Sequence, residues 1–124
     1  MGVPLLYGIK TCGSVKKAIK LLDSHQIAYD FIDLKIHTPS LKDIEIWATQ
    51  KGIQTILNTK GMTYKNLKKD NQLPQNDTLE ENIALLHRVP MLLKRPIISY
   101  KEMLVVGFDE DALMNFVQYV KGNQ

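Results

Sequence analysis

Apolar residues change their period several times along this chain, and each change marks an element. Pro4-Leu5-Leu6-Tyr7-Gly8-Ile9 is a nearly unbroken apolar run with the length of a buried strand. From there Val15, Ala18, Ile19 and Leu22 fall on one helical face, with Lys16, Lys17, Lys20 and Asp23 on the other. Beyond His25, the segment Tyr29 to Leu34 is rich in aromatic and β-branched residues and reads as a second strand. Strand, helix and strand with short joints predict a βαβ unit with parallel strands.

Thr38-Pro39-Ser40 then breaks the chain. Ser40, with Asp43 three residues on, is an N-cap for a helix carrying Leu41, Ile44, Trp47 and Ala48, and Gly52 is its stop. Ile53, Ile56 and Leu57 suggest another helical turn or two. Asn58 to Gly61 is a loop, and a short helix follows from Tyr64 to about Lys69. Asp70 to Asp77 is polar and holds Pro74, so it is a second loop. Thr78 and Glu81 form a capping-box pattern for a helix ending near His87. Residues 40–87 thus read as wholly helical. Pro90 to Tyr100 returns to strand character, and Met103 to Phe108 is its hairpin partner. Asp109 caps a last helix that buries Ala112, Leu113, Phe116, Val117 and Val120. The order predicts an α/β fold, β-α-β then β-β-α, as a single domain over 1–124. The all-helical block at about 38–89 is an insertion between strands of one sheet.

Composition narrows the function. With 124 residues, 44% hydrophobic and 23% charged, the chain suits one soluble domain with a real core. A net charge of +3 is too mild to argue for nucleic-acid binding, and Lys16-Lys17, Lys68-Lys69 and Lys94-Arg95 read as solvated basic pairs. No signal-peptide pattern and no apolar run of bilayer length is present, so a cytoplasmic protein with no membrane partner is expected. A lone cysteine excludes an internal disulfide and a multi-cysteine metal site. His25, His37 and His87 lack ligand spacing, so no metal is expected.

That cysteine is Cys12, in Lys10-Thr11-Cys12-Gly13-Ser14-Val15-Lys16, where the first strand turns into the first helix. A thiol there faces unpaired N–H groups and the positive end of the helix dipole, which favour the nucleophilic thiolate. Lys10, Lys16 and Lys17 add positive charge nearby. The N–H groups of Gly13, Ser14 and Val15 suit an anion. Arg95, before Pro96, offers a rigid fork of donors to a carboxylate or oxyanion. Its alternative is a surface arginine in a salt bridge. Lys60 is either a further anion contact or a solvated loop lysine.

A cysteine after the first strand of a β-α-β…β-β-α order is a thioredoxin-like arrangement. Four segments sharpen this: Tyr7-Gly8-Ile9-Lys10-Thr11-Cys12 running into Lys16-Lys17-Ala18, Leu57-Asn58-Thr59-Lys60-Gly61, Leu93-Lys94-Arg95-Pro96-Ile97, and Val106-Gly107-Phe108. In this order and spacing they resemble the arsenate reductase (ArsC-like) family, its Spx/MgsR and YffB branches included, and most closely the YffB branch of glutathione-dependent thiol reductases. The resemblance implies that Cys12 is catalytic and that Arg95 and a cis Pro96 lie opposite the cysteine loop. Lys16 and Lys60 fall where relatives carry arginine, Gly107 where arsenate reductases carry a third one, and Val15 where Spx carries a second cysteine. The implied function is a thiol-dependent oxidoreductase with glutathione as co-substrate and no tightly bound cofactor. Glutaredoxin is a further partner that the resemblance allows. The alternative is an Spx-like regulator that binds RNA polymerase, and arsenate reduction comes third.

Overall fold

The computed structural model describes residues 2–124. They form two compact units, one of residues up to Leu34 with Arg95–Gln124, the other Lys35–Lys94. The first unit contains β1 (Leu5–Gly8), α1 (Gly13–Ser24), β2 (Asp30–Asp33), β3 (Ile97–Tyr100), β4 (Met103–Val106) and α6 (Glu110–Gly122). Its sheet runs β2-β1-β3-β4. β1 is parallel to β2, as its helical crossover requires, and antiparallel to β3, which pairs antiparallel with β4. Register places Leu6, Ile98 and Val105 side by side on one face. They join Val15, Ala18 and Leu22 of α1 and Leu113, Phe116, Val117 and Val120 of α6 in one buried cluster.

Local chemistry explains where these elements stop. α1 ends in a Schellman closure: Gln26 N–H donates to Asp23 O and Ile27 N–H to Leu22 O. Gln26 takes the left-handed conformation there (φ 59°) and Ile27 is buried. α6 starts where the Asp109 carboxylate accepts from Ala112 N–H at 3.2 Å. Gly8 has a packing reason. A Cβ on it would sit 2.7 Å from Val15 Cγ2, so only glycine lets the end of β1 meet the first turn of α1.

The second unit holds α2 (Leu41–Lys51), α3 (Ile53–Ile56), α4 (Met62–Lys69), α5 (Leu79–Arg88) and a 3₁₀ turn over Pro90–Leu92. Ser40 Oγ caps α2 through Asp43 N–H at 3.1 Å, and Gly52 (φ 88°) ends it. Thr78 and Glu81 form the capping box of α5. α2 packs on α5, with Ile44 and Trp47 of the one and Ile83 and Leu86 of the other buried, and His87 Nδ1 lies 3.0 Å from Pro39 O.

Boundaries differ from the sequence reading, most by a residue or two; β4 stops at Val106, short of Phe108. Pro90–Leu92 is a 3₁₀ turn rather than strand, since proline suits the first position of a helical turn and has no N–H for a ladder. Leu57 leaves the helical pattern and forms a bridge to Leu93, with Asn58 N–H on Leu92 O and Lys94 N–H on Ile56 O, both 2.8 Å. Helix α4 starts at Met62, ahead of Tyr64.

Candidate functional site

Cys12 stands at the N-cap of α1 in extended conformation (φ −79°, ψ 126°). Its N–H donates to Ile9 O at 3.2 Å, closing the loop after β1, and its carbonyl accepts the first helical bond from Lys16 N–H at 3.0 Å. The side chain is half-buried, packed against the α1–α6 cluster. Burial pushes the thiol up. The backbone N–H groups of Val15 and Ser14, a hydrogen bond from Arg95 and the Arg95 charge outweigh it and hold the thiol below its ordinary value. The sulfur makes no standard cap hydrogen bond. The nearby N–H groups act on it chiefly as an ion, so the helix start and the thiolate stabilise each other.

Arg95 arrives from the far end of the chain. The Arg95–Pro96 peptide is cis and Pro96 is buried. Pro96 O accepts from Gly107 N–H at 2.7 Å, which ties the entry to β3 to the exit from β4. Gly107 sits at φ 78°, where an arginine side chain would be disfavoured. Arg95 is half-buried, and its buried Nε makes no hydrogen bond while the side chain bonds Cys12.

The structure therefore brings Cys12, Ser14, Val15 and Arg95 together, with Gly13 at the exposed first position of α1. Lys10 and Lys16 are exposed, and neither contributes to the lowering of the thiol. The lowering of the thiol rests on the N–H groups of Val15 and Ser14 and on Arg95. Lys60 lies exposed in the helical unit, its N–H on Asn58 Oδ1 at 3.1 Å. A contact that the sequence did not reveal is Lys17 Nζ over the Phe108 ring, 5.8 Å from its centroid. No periodicity pairs residues so far apart. Among the described residues no group of three His, Cys, Asp or Glu could hold a metal ion, and no helix is long and apolar enough to cross a membrane.

The ArsC family model matches residues 7–116. The chain belongs to the ArsC family. Among its relatives, the regulatory protein MgsR of Bacillus subtilis is 33% identical over 110 residues, covering 87% of this chain and 85% of MgsR. The global transcriptional regulator Spx of Listeria innocua is 32% identical over 115 residues, covering 90% and 85%. A solved YFFB protein superposes with a TM-score of 0.82 at 35% identity, covering 90% of this chain and 96% of that one. The thioredoxin-like α/β fold of the ArsC family and the resemblance to its Spx/MgsR and YffB branches are thereby established.

Proposed function

We propose that this chain is a thiol-dependent oxidoreductase of the ArsC family with Cys12 as its nucleophile. The observation that carries the reading is the Arg95 hydrogen bond to a thiol already favoured as thiolate by Val15 and Ser14 N–H. The Cys12 thiolate attacks one sulfur of a substrate disulfide. A bond forms between Cys12 Sγ and that sulfur, the substrate S–S bond breaks, and the other sulfur leaves as thiolate. With a single cysteine in the chain, the mixed disulfide is resolved from outside. Glutathione thiolate attacks the glutathionyl sulfur on Cys12, glutathione disulfide leaves, and Cys12 returns as thiolate. Gly13 and Ser14 N–H groups and the Arg95 fork suit the carboxylates and developing thiolate of such a substrate. Lys10, Lys16 and Lys60 are assigned no more than a peripheral part.

The test is whether a glutathione mixed disulfide of a small thiol is reduced by the protein with glutathione present. Activity that disappears in Cys12→Ser supports the reading, and activity that persists in that variant overturns it. A second reading, a regulator that binds RNA polymerase, is favoured by the likeness to MgsR and Spx. Recovery of polymerase on the immobilised protein, equally by Cys12→Ser, would select it.

A further inference from the structure

A groove of about 390 Å³ runs along the seam between α1 and the β4–α6 corner. Lys17, Lys20 and Leu21 form one wall, Phe108 and Met114 the other, with His25 at the far end. The floor is apolar and half-buried, while Lys17 and Lys20 are exposed. Helical spacing joins this groove to the cysteine. Gly13, Lys17, Leu21 and Ser24 follow one another at intervals of three or four residues, so they form a single stripe that begins beside Cys12. The groove's single carboxylate is Glu110, at the start of α6. The neighbouring Asp109 carboxylate, still charged, accepts from Ala112 N–H, and Asp111 is exposed in the same turn of α6. The basic wall thus lies along α1 and the aromatic one across from it, with Lys17 held over Phe108.

Distance decides the kind of occupant. From Gly13 to Leu21 the helix rises about 12 Å. An extended chain covers about 3.3 Å per residue, so a cysteine held at Cys12 sends its own chain into the groove about four residues on. A tripeptide thiol reaches Lys17, one turn on from Gly13, but not Leu21. We propose that this groove docks an acidic, apolar stretch of a protein substrate, about four residues from the disulfide-bonded cysteine that Cys12 attacks. The carboxylates face Lys17 and Lys20, and the apolar side chains rest on Leu21, Phe108 and Met114. The proposal rests on Cys12 acting as the attacking thiol.

The probe is a peptide with one cysteine as its 2-pyridyl disulfide and, from the third residue onward, the run Glu-Leu-Asp-Leu. Attack by the Cys12 thiolate on the peptide sulfur forms the new S–S bond, breaks the bond to the pyridine sulfur, and releases pyridine-2-thione, which takes up a proton. A second peptide carries Lys-Leu-Lys-Leu instead, and the 2-pyridyl disulfide of N-acetylcysteine amide serves as a small control. At low salt the acidic peptide should react about fivefold faster than the basic one, each normalised to the control, and Lys17→Glu/Lys20→Glu should invert the ratio. A ratio near one, or one that survives in the double variant, overturns the groove. If the small control fails to react at all, the thiol reading is wrong. The groove is then read from the binding of a labelled cysteine-free acidic peptide, with the same double variant deciding.

Discussion

One side chain brought from a distant segment adds to what the helix start already does for Cys12. The N–H groups of Ser14 and Val15 belong to any helix start, whereas the Arg95 hydrogen bond depends on the whole β3 entry being in place. Arg95→Ala should therefore move the alkylation pH profile of Cys12 upward. Arg95→Lys should restore the charge but not the bond, and Lys10→Ala or Lys16→Ala should leave the profile where it is. Rates with iodoacetamide across pH check all four. The same lowering has a sign in stability. Folding favours the thiolate, so the unfolded chain binds more protons between the lowered value and the ordinary one of about 8.5. The contribution is full above that ordinary value and is lost as pH falls through the lowered one. Urea unfolding should show the stability of wild type rising with pH relative to Cys12→Ser across that window. Serine is a good N-cap in itself, so the slope and not the offset is the readout. Cys12 and Arg95 were legible in sequence as a helix-start thiol and a fork before proline. Their hydrogen bond was not, because it joins segments far apart in the chain.

Elements carry their own consequences. Gly8→Ala should cost about 1–3 kcal/mol, because its methyl overlaps Val15 at the first turn of α1. Gly8→Ala/Val15→Ala should lose less than the two single changes combined, a coupling that a double-mutant cycle measures by denaturation. Gln26→Gly should stabilise the chain by about 0.5–1 kcal/mol, since the left-handed residue of the Schellman closure is glutamine. Most helices were readable from sequence because their caps are written in it: Ser40 with Asp43, Thr78 with Glu81, Asp109 with Ala112. Pro90 to Tyr100 was misread because Met91, Leu92 and Leu93 are as apolar as Ile97 and Ile98, and apolarity does not distinguish a strand from a tight turn. Pro90 and Pro96 punctuate it, leaving Ile97–Tyr100 as the strand. Leu57 was misread for the same reason, as its bridge to Leu93 joins distant segments.

At the scale of the molecule, the order of elements and the four motif segments were enough to find the family, since topology follows from period changes and short joints. What the family does not decide is which chemistry this member performs. Arsenate needs several fixed donors beside the thiolate. The resemblance implies Gly107 in place of one arginine and Lys16 and Lys60 in place of two others, and a lysine cannot clamp two oxygens. Arsenate turnover coupled to glutathione and glutaredoxin should accordingly fall well below about 1 per second, an ordinary enzyme rate. The most direct measurement follows the adduct on Cys12 itself, by intact mass, after mixing with glutathione disulfide at several pH values and then with glutathione. A single glutathione added at Cys12, formed readily at pH values below the ordinary thiol value, slowed in Arg95→Ala and removed by glutathione, is the result predicted. No adduct, or one whose rate still climbs through about pH 8 to 9 as for an unperturbed thiol, would contradict the account.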